Sequence, residues 1–286
     1  MSLTAIKRVE ADGLKVFYRE AGSVDAPVIL LLHGFPSSSH QYRNLIPLLS
    51  QKYHVVAPDM PGFGFTEVPK SRNYAYTFAN LATTIEAFLD ALNIKKFSVY
   101  IFDYGAPTAL RIALHRPDAV QAIISQNGNA YDEGLGEFWD PVRALWKENS
   151  ATNRETVRAG ILTLEATLWQ YEFGSKSDFA PEAPYLDWAL LSRPGNQEIQ
   201  LDLFYDYQTN VTLYPEFQAY FRSSKVPVLA VWGKNDQIFL YPGAEAFKKD
   251  LPNTKVHLLD AGHFAVETNG KEIASLILGF LEENKI

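Results

Sequence analysis

The chain has 286 residues, 47% of them apolar and 21% charged, which is ordinary for a globular protein able to bury its own core. Its net charge is −7, and Lys and Arg are scattered along it, which argues against a nucleic-acid footprint. The absence of cysteine excludes disulfides and thiolate metal sites.

The segment from Met1 to Gly13 is polar and broken by charge. It lacks the apolar stretch of a signal peptide. The longest clean apolar runs, such as Val28–Leu32, are too short to span a bilayer. A cytoplasmic protein with no membrane partner is expected. Leu14–Glu20 reads as a strand. Val28–Leu32, Val55–Pro58, Phe97–Phe102 and Val120–Ser125 are short continuous apolar runs, the signature of strands buried on both faces. Between them, Thr77–Leu92 carries Phe78, Leu81, Ile85, Phe88, Leu89 and Leu92 at helical spacing, and a second helix is expected from Ala106 to His115, stopped before Pro117. The alternation resumes late in the chain. Val226–Trp232 and Lys255–Leu259 read as strands, Gly243–Leu251 and Glu272–Leu281 as helices. Such a pattern predicts a mostly parallel sheet covered on both faces. From Asn129 to Ser224 the pattern changes to aromatic-rich helices without buried strands, for example Glu155–Phe173. We read residues 1–128 and 225–286 as an α/β core and 129–224 as an inserted helical cap.

Reactive groups in open α/β sheets gather at the carboxyl ends of the strands. Those ends carry His33-Gly34-Phe35-Pro36, Asp59, Asp103-Tyr104-Gly105, Asn127-Gly128-Asn129, Asp236 and His263. With these residues in this order, the sequence resembles the α/β-hydrolase family over nearly its whole length. The family carries its nucleophile on a tight strand-to-helix elbow, followed in the chain by an acid and a histidine. Ile101-Phe102-Asp103-Tyr104-Gly105 occupies that elbow. The nucleophile is then Asp103 in place of serine, and Ile101 replaces the usual first glycine, which makes the turn more crowded. The resemblance is to the Asp-nucleophile branch, the epoxide hydrolases and haloalkane dehalogenases. By that match Asp236 is the acid and His263 the base. Simpler roles exist for each: a helix cap for Asp103, an Asx-turn for Asp236, a satisfied surface residue for His263. Some relatives take the acid from the strand near Ser125, where this chain offers no carboxylate.

An aspartate nucleophile restricts the reaction. Attack on a carbonyl would give an uphill mixed anhydride, whereas attack on a saturated carbon bearing a leaving group gives a stable alkyl ester. Water activated by histidine can then hydrolyse that ester. The resemblance further implies an oxyanion hole from the backbone N–H groups of Phe35 and Tyr104, with His33 and Pro36 beside the pocket and a cis bond before Pro36. An ordinary turn is the rival reading of that loop. Asp59 is expected to bond nearby backbone.

Epoxide and halide chemistry differ in the leaving group. Dehalogenase relatives hold halide with N–H donors, one after the nucleophile and in many another after the His-Gly pair. Those positions are Tyr104 and Phe35 here, and neither side chain can donate an N–H. Dehalogenases for small fluorinated acids carry an Arg where this chain has Pro107. Epoxide hydrolases use two cap tyrosines as O–H donors, and Tyr205-Asp206-Tyr207-Gln208-Thr209-Asn210 resembles the segment around the second. Tyr207 is the first choice and Tyr205 the second, against the plainer role of packing the cap. Tyr131 and Tyr171 are candidates for the partner tyrosine, and Trp139 and Trp146 could serve a halide. The expected reaction is epoxide opening, with haloalkane dehalogenation as the alternative and a small-molecule receptor as the non-enzymatic one. The cap aromatics suggest an apolar or aromatic substrate. No cofactor or metal motif is present, and a homodimer is compatible with the sequence.

Overall fold

The computed structural model describes residues 3–286. Eight strands form one sheet: β1 (Ala5–Ala11), β2 (Leu14–Ala21), β3 (Val28–Leu32), β4 (His54–Pro58), β5 (Phe97–Ile101), β6 (Val120–Gln126), β7 (Val228–Gly233) and β8 (Lys255–Leu259). Their spatial order is β1-β2-β4-β3-β5-β6-β7-β8. β1 and β2 pair antiparallel, as do β2 and β4, and all later pairings are parallel. Seven strands match the predicted ones to within two residues at each end. β1 was not anticipated. It is an edge strand whose first four residues are exposed, so Lys7, Arg8 and Glu10 leave no apolar period to read.

The continuous apolar runs have their reason in the pleat. Leu30 and Leu32 join one core with Val56, Val99, Ile101 and Trp232. Ile29 and Leu31 face the opposite core with Val55, Tyr100, Ile124 and Val231. The helices Phe78–Ala91 and Gly105–His115 cover the first face and Ala265–Glu283 the second. The first of these starts on Thr77, whose side chain accepts from Asn80 N–H, a cap worth about 1 kcal/mol.

Between β6 and β7 the described elements are all helical. The run expected at Glu155–Phe173 is two helices, Ala151–Ile161 and Leu164–Glu172. Thr163 interrupts it because its side chain caps the second by accepting from Ala166 N–H. The segment Asp206–Asn210 is pinned to the α/β core. Asp206 accepts the N–H of Phe78 at 2.7 Å. The buried Arg111, on Gly105–His115, donates to Asn210 at 2.5 Å and Thr209 at 2.8 Å. Burial pulls the Arg111 guanidinium down to about 10, which still leaves it charged at neutral pH. No helix among the described residues is long and apolar enough to cross a membrane.

Candidate active site

β5 ends at Ile101 and the next helix begins at Gly105, so three residues make the turn. Asp103 takes a left-handed φ of 46°, a conformation short polar side chains tolerate best after glycine. Two close approaches shape the elbow. A Cβ on Gly105 would lie 2.3 Å from the Leu32 carbonyl oxygen. A Cβ on Gly128 would lie 2.8 Å from the Ile101 carbonyl oxygen and 3.0 Å from its Cγ1. Gly128 therefore supplies, from the neighbouring strand end, the room that Ile101 takes from the turn.

The bent backbone aims the Asp103 carboxylate at the loop after β3. The N–H groups of Phe35 and Tyr104 both donate to its Oδ1 at 2.6 Å, and the Phe35–Pro36 bond is cis. Gly34 is required for this approach, since a Cβ there would fall 2.2 Å from Oδ1. The second oxygen, Oδ2, faces His263 Nε2 at 4.0 Å. Nδ1 of the same ring is 2.8 Å from Asp236 Oδ2. Asp236 is itself held by Ile238 N–H at 2.7 Å and by the side-chain amide of Asn127 at 2.6 Å. A carboxylate with only acceptor capacity fixes the proton on Nδ1 and leaves Nε2 turned toward Asp103.

Burial is nearly complete, with Asp103 3%, Asp236 2% and His263 2% exposed. Desolvation pushes the Asp103 carboxyl up to about 6, against the pull of His263 and the two N–H bonds. For His263, burial works downward, but the charge and hydrogen bond of Asp236, aided by Asp103, leave the imidazole raised above its ordinary value. At neutral pH the Asp103 carboxyl, with its value near 6, is mostly ionised. Among the described residues, no group of three or more His, Asp or Glu gathers in a way that could hold a metal.

A family model described as the alpha/beta hydrolase fold matches residues 27–270. The chain belongs to the α/β-hydrolase family. An uncharacterized hydrolase of Saccharomyces cerevisiae is 50% identical, covering 96% of this chain and 95% of its own. A haloalkane dehalogenase of Mycolicibacterium paratuberculosis is 35% identical, covering 93% and 87%. Epoxide hydrolase 2 of Siraitia grosvenorii is 27% identical, covering 96% and 97%.

Within this hydrolase the remaining candidates divide. Tyr207, fully buried, packs over the elbow with ring centroids 5.8 Å from Tyr104 and 4.3 Å from Trp139. Its hydroxyl has only a long 3.5 Å contact, to Tyr214. Tyr205 is half-buried and packs against the apolar core; its carbonyl accepts from Gln208. The two guesses for a partner tyrosine are committed elsewhere. Tyr131 donates to Asp250 at 2.8 Å. Tyr171 donates to Asp187 at 2.5 Å and stacks on Phe264. The tryptophans are committed too: the indole N–H of Trp139 goes to the Ile238 carbonyl and that of Trp146 to the Phe204 carbonyl. His33 is spent on the loop. Its Nε2 accepts from Met60 N–H and its Nδ1 pairs with the Gly34 carbonyl, so both ring nitrogens are engaged by the backbone of the loops after β3 and β4.

Sequence reasoning missed three features. Asn127 orients Asp236, although its place at a strand end among the other polar residues was a usable signal. Asp59 was expected to bond backbone, but its reach was not: it takes Ser39 N–H and Phe65 N–H at 2.8 Å each, tying the β3 and β4 loops together. Tyr104 was weighed only as an N–H donor. Its hydroxyl is buried and has no hydrogen-bond partner among the described residues.

Proposed function

We propose that the protein opens epoxides through a covalent ester on Asp103. The observation that carries this reading is the division of labour between the two oxygens of one carboxylate, Oδ1 held by two N–H groups and Oδ2 free toward His263. Oδ2 attacks a ring carbon from behind the C–O bond. The new C–O bond forms as the old one breaks, and the departing alkoxide takes a proton from a tyrosine hydroxyl. Water then attacks Cγ of the ester and gives its proton to Nε2 of His263. Charge collects on Oδ1, where the Phe35 and Tyr104 N–H groups stabilise it. Collapse breaks the bond from Cγ to the substrate oxygen, which takes the proton held on His263 Nε2 and leaves as the diol; the second water proton passes from the regenerated acid to the tyrosinate, restoring the carboxylate and the phenol.

The donor inventory favours epoxide over halide. A halide asks for N–H donors, and the Trp139 and Trp146 indoles already serve backbone carbonyls. An alkoxide asks for an O–H, and Tyr104 and Tyr207 offer one unpartnered and one weakly partnered hydroxyl near Asp103. Burial, the first cause, pushes both phenols well up, so each keeps its proton until an alkoxide demands it.

The test replaces His263 with Gln and adds an aryl epoxide or a bromoalkane. The expected result is an intact-mass increase equal to the epoxide, located on Asp103, with no increase for the bromoalkane. An unmodified mass with a substrate the wild type turns over would remove the covalent mechanism. Trapping of the alkyl group from the bromoalkane alone would transfer the reading to dehalogenation.

A further inference from the structure

A crevice of about 150 Å³ of empty space opens beside the triad, lined by His263, Asp236, Ile238, Phe173, Trp169 and Gln170 among others. It is too narrow in this state to admit a water molecule. Gln170 and Trp169 lie on the helix Leu164–Glu172 and form one wall. The same two residues also line a wider hollow, about 540 Å³, with Phe138, Ile161, Thr163 and Ala166. The two side chains thus stand between an outer depression and the reactive histidine.

Gln170 is out of place there by ordinary packing rules. It is 2% exposed, yet neither its amide nitrogen nor its carbonyl oxygen has a partner among the described residues. Buried amides are satisfied in the great majority of cases, because an unpaired one forfeits its hydration for nothing. We propose that Gln170 is a substrate-recognition residue, and that the substrate carries a neutral hydrogen-bonding group, a carboxamide or hydroxyl, on an apolar chain. This rests on the reading of Asp103 as the reactive group only for what happens to the bound molecule afterwards.

The chemistry of the wall selects this class. A primary amide presents a donor and an acceptor side by side, so the best match is another group that presents both. An anionic group is disfavoured, because Asp236 lines the same crevice and Asp103 lies one imidazole away. The outer hollow, with Phe138, Ile161, Ala159 and Ala166, suits the apolar remainder.

The experiment measures equilibrium binding of hexanamide and of its hydrocarbon isostere, 2-methyl-1-heptene, to wild-type protein and to Gln170→Met. Wild type binds hexanamide, and the variant shifts the ratio of the two dissociation constants by about tenfold or more toward the hydrocarbon. An unchanged ratio, or no binding of hexanamide to wild type, overturns the proposal. Should the variant fail to fold, the side-chain amide resonance of Gln170 in the wild type decides. It shifts on adding hexanamide and not on adding the hydrocarbon, and no shift with either ligand refutes the proposal. The two readings fail separately. An ester trapped on Asp103 with an unchanged ratio removes only the role of Gln170. A changed ratio without a trapped ester removes only the covalent reaction.

Discussion

Replacing Asp103 by Asn should stabilise the protein while abolishing turnover. The carboxyl of Asp103 titrates at an ordinary 3.8 in an unfolded chain and at about 6 in the fold, chiefly because it is buried. Between those values the folded state binds the proton more tightly than the unfolded state. The wild type is therefore stabilised as pH falls through about 6, opposite to the usual behaviour of paired carboxylates. Above pH 6 the ionised group burdens the fold by the gap between the two values, about 3 kcal/mol. Asparagine removes that titration, and its carbonyl oxygen can still accept from the Phe35 and Tyr104 N–H groups. The expected gain is about 3 kcal/mol at pH 7.5, about half of that at pH 5 and nothing near pH 3. Urea unfolding at the three pH values measures it. A destabilised variant, or a gain independent of pH, would refute the claim that burial holds this carboxylate in a strained ionic form.

The alkylation step, measured as kcat/KM, should lose about tenfold per pH unit below about 6, following the ionisation of Asp103. Tyr104→Phe should lower epoxide opening by about ten- to hundredfold, with Tyr207 remaining as a donor, and leave the fold unchanged because the lost hydroxyl has no partner; an undiminished rate would assign proton donation elsewhere. Gly34→Ala should cost about a hundredfold or more in single-turnover alkylation, since the added carbon would fall on Oδ1. Asn127→Leu removes one of three hydrogen bonds to Asp236, and should slow ester hydrolysis more than ester formation, by about tenfold, in stopped-flow traces.

The sequence made the sheet legible where both faces are buried, because runs such as Val28–Leu32 have no polar interruption. It failed at β1, where solvent on an edge strand erases the period. The grouping of Asp103, Asp236 and His263 was legible because each sits at a strand end that can be located from the run before it. The supporting groups were not, because their roles depend on contacts between distant segments. Gly128 compensates Ile101 across a strand pair, and Arg111 reaches from a core helix to Asn210 in the insertion. Tyr131 and Tyr171 were misjudged for the same reason: the partners that claim their hydroxyls, Asp250 and Asp187, lie 119 and 16 residues away. No local pattern announces such pairs.

In the proposed reaction the charges around His263 change between the two half-reactions. The ionised Asp103 adds to the charge and hydrogen bond of Asp236 in raising the His263 imidazole above its ordinary value. Alkylation converts that carboxylate to a neutral ester and removes this contribution, while burial continues to favour the neutral ring. In that reading the Phe35 and Tyr104 N–H groups serve both steps. They hold Oδ1 as a carboxylate oxygen at the start and as the developing oxyanion in the second step. In that reading a single buried acid, with one oxygen anchored and the other turned toward the ring, serves as nucleophile and then as the electrophile of its own hydrolysis.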